Sequence, residues 1–171
     1  LHSGKLSHGQ VQAWALNRFY YQWSIPRKDL TLMARIDDID LRLEWRSRVI
    51  DHEGDIDGSG GIKRYLQLCE KLELDIEYVK SFKGLLPASK FAVDSYVSFV
   101  REKSLLESIS SSLTEIYAPA IHKERIEGLS KHYKWTDDYA LAYFKKRINQ
   151  ARKDVEFGKE WVIKNAQTRG D

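Results

Sequence analysis

Five small clusters, in four short stretches of the chain, pair side chains that grip anions or move protons. Residues three or four apart share one face of a helix. In RFYYQ, Arg18, Tyr21 and Gln22 therefore point one way, within an aromatic-rich stretch expected to be largely buried. In WRSRVIDHEG, Arg48 and His52 are one turn apart at the end of a helix. Thr114 and Glu115 lie near Pro119, with His122 seven residues beyond Glu115 and Arg125 three beyond His122. Tyr143 and Arg147 are again one turn apart. Each pair alone is an ordinary surface or packing contact. If all five converge, they form a polar cavity inside a helical protein. Its arginines need anionic partners, because unpaired buried charge is costly. A ligand with several carboxylates is the natural partner, since guanidinium matches carboxylate in a two-pronged way.

The elements that must position these groups are helices. The chain has three prolines and ten glycines, and it lacks the alternating pattern of strands. Ser7 and Gln10 form a capping-box pattern, and the helix they start is expected over 8–23, bending at Ile25-Pro26. A short helix is expected to follow through Ala34. Asp37-Asp38 can cap another, reaching His52. Residues 55–61 read as a glycine-rich turn. Helix is expected over 62–72, briefly after Asp75, over 87–100 and over 104–117. A bend at Pro119 and continuation to His132 follow. Thr136 is expected to cap a last helix over 137–165. The sum is an all-α protein, a compact bundle of about seven helices in a single domain over 1–171.

Composition narrows the function classes. With 28 Lys plus Arg against 25 Asp plus Glu, the net charge of +3 is not the footprint of a nucleic-acid binder. No apolar run approaches the roughly 20 residues that cross a bilayer. Cys69 is the single cysteine, which suits a reducing compartment. The chain begins at Leu1, so a segment upstream is expected. For metals, the residues three before His8, His52, His122 and His132 are Lys5, Val49, Pro119 and Leu129. None is a carboxylate, so the Glu-x-x-His pattern of di-iron bundles is missing, and no metal site is expected. The Gly58-Ser59-Gly60-Gly61 stretch lacks the Lys-Ser/Thr pair of a phosphate loop and reads as a turn.

Six stretches together resemble the pyrroloquinoline quinone synthase family. They are NRFYYQWSIPRKD at 17–29, RVIDHEGD at 48–55, GGIKRYLQL at 60–68, FAVDSYVSF at 91–99, SSLTEIYAPAIHKER at 111–125 and YFKKRINQARKDVEFG at 143–158, in one register across nearly the whole chain. The resemblance implies a haem-oxygenase-like helical fold and a cytoplasmic homodimer. It implies ring closure and eight-electron oxidation of a bicyclic, amino-acid-derived quinone precursor, with O2 as oxidant and H2O2 released. No metal or organic cofactor takes part, and pyrroloquinoline quinone is the product. The precursor carries several carboxylates, the anions that the arginines require. On the matching positions, Arg18, Tyr21, Gln22, Arg48, Thr114 and Arg125 are expected to hold substrate. His52, Tyr96, Glu115, His122, Tyr143 and Arg147 are expected to serve proton transfer and oxygen handling. His52, beside Arg48, is the candidate base, a role that asks for a pKa near neutral. Members of the family carry a further N-terminal and a further C-terminal helix, which this chain is expected to lack.

Rival readings stay open. A thiaminase-like hydrolase of the same superfamily needs a nucleophilic Cys in the cavity, and Cys69 lies outside the polar stretches. A haem oxygenase needs a proximal His. A carrier that binds the finished quinone without turnover needs only the binding groups.

Overall fold

The computed structural model describes residues 1–56 and 58–168. Among these residues are eight α-helices: α1 (His8–Met33), α2 (Ile39–Glu53), α3 (Gly61–Lys71), α4 (Ile76–Lys80), α5 (Pro87–Glu102), α6 (Leu105–Ser111), α7 (Ala118–His132) and α8 (Asp138–Asn165). A 3-10 segment, Ser112–Tyr117, joins α6 to α7. No strand occurs among the described residues. Helix α1 packs against α2, α3 and α5, while α8 packs against α3, α6, α7 and the 3-10 segment.

Local chemistry sets the starts. The Ser7 side chain accepts the Gln10 amide and the Gln10 side chain accepts the Ser7 amide, a complete capping box. Ser104 and Glu107 repeat the device at α6. Asp38 caps α2 by accepting the Leu41 amide at 3.0 Å. Pro87 sits in the first turn of α5, where its missing N–H is no loss.

Three expectations are corrected. Helix α1 does not end before Pro26 but runs through it to Met33. An interior proline costs about 3 kcal/mol. Burial of Ile25, Pro26, Lys28, Asp29 and Leu32 against neighbouring helices holds both sides of it in one helix. The segment before Pro119 is 3-10, not α. Pro119 has no N–H for the Glu115 carbonyl, and the Ala118 amide takes that carbonyl instead, in the tighter i to i+3 pattern. Helix α8 is capped by Asp137, which accepts the Ala140 amide at 2.9 Å, while Thr136 turns its hydroxyl back to the Leu129 carbonyl.

The expected turn at 55–61 is present, apart from Asp57, which lies outside the described residues. It folds back over the end of α2. A Cβ on Gly60 would come within 2.3 Å of the His52 carbonyl oxygen, so only glycine permits this approach.

Two apolar clusters fill the bundle. One gathers Val11, Ala15, Phe19, Tyr65, Leu68, Leu72 and Phe144. The other gathers Leu32, Ile36, Leu41, Trp45, Val100 and Ile109. Along α1, Gln22, Lys28 and Asp29 fall between members of the two clusters, all buried. Along α8, Arg147 and Asp154 fall between Phe144 of the first and Phe157 beside the second. A polar layer therefore crosses the middle of the protein.

Candidate active site

That layer opens to the surface as a cleft with two lobes. One lobe, about 450 Å³, lies between α1 and α5 and is lined by Trp14, Asn17, Arg18, Tyr21, Ser89, Ala92, Val93 and Tyr96. The other, about 210 Å³, is lined by Arg18, Tyr21, Thr114, Glu115, Ala118, Ile121, His122 and Arg125. Arg18 and Tyr21 belong to both, with the Arg18 guanidinium 4.0 Å from the centre of the Tyr21 ring. The structure thus brings Arg18, Tyr21, Tyr96, Thr114, Glu115, His122 and Arg125 to one cleft. Gln22, Arg48, His52, Tyr143 and Arg147 lie beneath it, each at most 3% exposed. Helix spacing puts each group on the inner face of its helix; the crossing of α1, α2, α7 and α8 makes the faces meet. A separate groove of about 370 Å³, lined by Ile116, Pro119, Lys123, Ala151, Arg152 and Val155 among others, has no buried polar group in its walls.

The floor of the cleft is an ionic network. Glu115 Oε2 lies 3.2 Å from Nη2 of Arg48 and 3.2 Å from Nη2 of Arg147. Asp154 Oδ2 lies 3.4 Å from Nη1 of both. Asp29 Oδ1 is 3.6 Å from Arg48 Nε, 2.6 Å from Lys28 Nζ and accepts the Trp45 indole N–H at 2.8 Å. Lys28 also donates to Ser112 Oγ at 3.1 Å. Three cations face three carboxylates. The expectation that buried arginines require a ligand's anions is thereby corrected for Arg48 and Arg147: the protein supplies their carboxylates.

Arg18 and Arg125 are the exception. Both are half-buried in the cleft wall, and among the described residues neither is ion-paired with a carboxylate. Arg125 stacks over Trp14 at 5.7 Å. Burial, then the charge of Arg18, pulls the Arg125 pKa down. Several buried atoms here also have no hydrogen-bond partner among the described residues: Arg18 Nε, Arg48 Nε and Nη2, His52 Nε2 and His122 Nδ1. Arg48 Nη2 lies near Glu115 in distance, but not in hydrogen-bond geometry. Unsatisfied buried polar groups are rare in native proteins, so their concentration in one place is a functional signal.

The ionisation states follow from burial. His52 Nδ1 lies 2.9 Å from the Arg48 carbonyl oxygen, which only accepts. The proton therefore sits on Nδ1, and Nε2 keeps its lone pair. Burial, and then Arg147, lowers the His52 pKa to about 4. Burial, with Arg125, Arg147 and Arg18, lowers that of His122 to about 3. Both are neutral proton acceptors at pH 7, which corrects the expectation of a near-neutral pKa for His52 in the protein alone. For Glu115, burial pushes upward, but Arg48, Arg147 and Lys28 together outweigh it and hold the carboxyl at about 2. Burial raises the Tyr143 phenol, which donates to Gln22 Oε1 at 2.5 Å and stands edge-on to the His122 ring at 5.9 Å.

Sequence reasoning missed Lys28, Asp29, Ser112 and Asp154. The signal for the last was present: Asp154 is seven residues, two turns, past Arg147. Asp29 is seven residues, two turns, past Gln22, with Lys28 next to it, and both were hidden by the break expected at Pro26. Cys69 lies in the apolar core, fully buried, with burial raising its thiol pKa to about 12.

The profile of the TENA/THI-4/PQQC family matches residues 1–168. The chain is 54% identical to a pyrroloquinoline-quinone synthase of Rhizobium meliloti (strain 1021), over 99% of this chain and 66% of the relative. It is 52% identical to one of Granulibacter bethesdensis, over 98% of this chain and 66% of the relative. It is 48% identical to one of Ruegeria pomeroyi, over 98% of this chain and 70% of the relative. The chain thus spans about two thirds of the length of these relatives.

Proposed function

The chain belongs to the TENA/THI-4/PQQC family, and from that premise we propose that it acts in the last step of pyrroloquinoline quinone formation, a reading supported by relatives that are named pyrroloquinoline-quinone synthase. The substrate is a bicyclic quinone precursor with several carboxylates. The reaction closes the third ring and passes eight electrons to O2, with H2O2 released and no resident metal or organic cofactor. The observation that carries the reading is the cleft's charge pattern. Two half-buried arginines without carboxylate partners among the described residues, Arg18 and Arg125, stand over a floor whose own charges are balanced.

In this reading Arg18 and Arg125 hold substrate carboxylates, and Tyr21, Tyr96 and Thr114 line the ring faces. Gln22 fixes the Tyr143 hydroxyl, and the free donors of Arg48 add a further hydrogen bond from below. Oxidation by O2 begins with removal of a proton from carbon, so that an electron-rich anion forms. His52 Nε2 is the acceptor, its other nitrogen fixed by the Arg48 carbonyl. The incoming carboxylates oppose the Arg147 charge and raise the proton affinity of His52. His122, Tyr143 and Arg147 stabilise the negative charge that develops on reduced oxygen. Glu115 holds Arg147 and Arg48 in place. A cysteine-nucleophile reading loses support, because Cys69 is buried away from the cleft with a raised pKa.

The test is turnover. The chain mixed with the bicyclic precursor in air is expected to consume O2 and release the tricyclic quinone, identified by mass spectrometry. Tight binding of that quinone without oxygen consumption from the precursor would identify a carrier instead.

A further inference from the structure

Asp154 takes no part in the cleft, yet its single oxygen Oδ2 reaches both guanidiniums of the floor. It accepts from Nη1 and Nη2 of Arg147, each at 3.4 Å, and lies 3.4 Å from Nη1 of Arg48. Glu115 Oε2 reaches the same two guanidiniums from the other side, at 3.2 Å each. Arg48, Glu115, Arg147 and Asp154 therefore form a closed ring in which positive and negative groups alternate. The two carboxylates differ in what carries them. Glu115 sits on the 3-10 segment and in the cleft wall, its side chain 12% exposed. Asp154 sits two turns past Arg147 on the long helix α8, its side chain 3% exposed.

We propose that Asp154 is the positioning residue of this site: it fixes the Arg147 guanidinium, and with it Arg48, at the floor of the cleft. Two like charges cannot lie side by side in a protein interior on one shared counterion. Asp29 does not fill the gap, because it faces Lys28 and the Nε side of Arg48. Without Asp154, Lys28, Arg48 and Arg147 would share Glu115 and Asp29; Glu115 would be divided between the two arginines on their Nη side, and one guanidinium would swing away or draw Glu115 out of the cleft wall. The rigid helix makes Asp154 the fixed end of the ring. Arg147 is thereby preorganised under Tyr143 and His122, where orientation, not mere presence, stabilises developing charge. The catalytic consequence rests on the proposed oxidase reading, whereas the geometric one does not.

The experiment pairs kinetics with nitrogen NMR of the arginine side chains. In the native chain, Arg147 is expected to show resolved, slowly exchanging guanidinium protons. In Asp154→Asn, which keeps the shape and removes the charge, those signals are expected to collapse. Turnover of the bicyclic precursor is expected to fall roughly tenfold or more, with KM within about twofold because Arg18 and Arg125, which hold the substrate's carboxylates, are untouched. Resolved Arg147 signals in Asp154→Asn overturn the proposal, and so does a loss expressed in KM alone. Should Asp154→Asn fail to fold, the double variant Arg48→Met/Asp154→Asn removes one charge of each sign and keeps the interior neutral. There Glu115 has Arg147 alone to neutralise, so ordered Arg147 signals are the supporting result, and disordered signals overturn the shared-counterion argument. A native chain that turns over no precursor would defeat the oxidase reading, while the NMR comparison would still decide the role of Asp154.

Discussion

Phe19 and Asp29 are both fully buried on one helix, ten residues apart, in interiors of opposite kind. Around Phe19 the contacts are ring on ring, with Tyr65 at 6.3 Å and Phe82 at 6.0 Å. Such packing is non-directional, and volume-conserving changes are tolerated. Around Asp29 lie Lys28, Arg48 and the Trp45 indole, each placed by a specific bond or ion pair. An ionic interior adds little net stability over a well-packed apolar one, but it is costly to break singly. A fold that only needed to be stable has no use for the second kind. Its position under the cleft, between two apolar clusters, ties it to function.

The largest expected effect breaks that symmetry directly. Leu68→Met in the apolar core should cost less than about 1.5 kcal/mol, because volume is conserved. Arg48→Met, also similar in size, should cost about 3–5 kcal/mol, because Glu115, Asp29 and Asp154 are left with too few cations. That is a large share of the roughly 5–15 kcal/mol by which a domain is stable. Urea unfolding of both variants checks the contrast, and equal losses would erase the distinction between the two interiors.

The second prediction separates floor from wall. Arg18→Ala and Arg125→Ala should weaken binding of the tricyclic quinone by about 1.5–3 kcal/mol, tenfold or more, through a lost charge-assisted hydrogen bond. Their unfolding free energies should change by no more than about 1 kcal/mol, since among the described residues neither arginine carries an ion pair and each loses a contact over an aromatic ring. Titration and urea unfolding on the same samples give both numbers. Unchanged affinity in both variants would place the anion site elsewhere.

How much of this was legible in the sequence depends on what periodicity can carry. Spacing alone put Arg48 with His52 and Tyr143 with Arg147, because a helix fixes neighbours one turn apart. It could not say that Arg147 and Arg48 meet over Glu115, since that contact joins α2, α8 and the 3-10 segment. Helix type was legible from caps and pattern, and four starts fell where Ser7, Asp38, Asp75 and Ser104 cap them. The failure at Pro26 had a wider consequence. A proline was given its intrinsic weight, tertiary packing outweighed it, and the lost continuity hid Lys28 and Asp29. The arginines misled differently: a guanidinium in a buried pattern signals a carboxylate, but not whether protein or ligand brings it.

A third prediction concerns acid. His52 and His122 have folded pKa values near 4 and 3, against 6.5 when unfolded. As pH falls below 6.5 the unfolded chain takes up protons that the folded protein refuses. Stability present above 6.5 is therefore lost progressively toward 4 and below, at about 1.4 kcal/mol per pH unit for each such group. Glu115, near 2 when folded against 4.5, adds a loss of the same sign between those values. The apolar core contributes nothing to this slope. Thermal unfolding from pH 7 to pH 4 should show it, and His52→Gln should flatten it. A slope that His52→Gln leaves intact would mean that other groups set it.

The smallest effect links the two kinds of arginine. His52 and His122 are held low partly by Arg147, and His122 also by Arg125 and Arg18. A ligand bringing carboxylates into the cleft opposes those cations and raises both imidazole pKa values. Between the free and the bound pKa, binding takes up a proton. Affinity should then fall as pH rises through the bound value, by less than tenfold per pH unit for a single proton, because one group binds at most one. Calorimetric titration of the tricyclic quinone in two buffers of different ionisation enthalpy reads the uptake directly. A fraction of a proton up to about one is expected near pH 6. His52→Gln should remove most of it if His52 faces the ligand's charge, and His122→Gln should do so if the smaller lobe receives it. Identical heats in both buffers for the native protein would mean that the bound carboxylates lie too far from either ring to tune it, and His52 would lose its claim as the base.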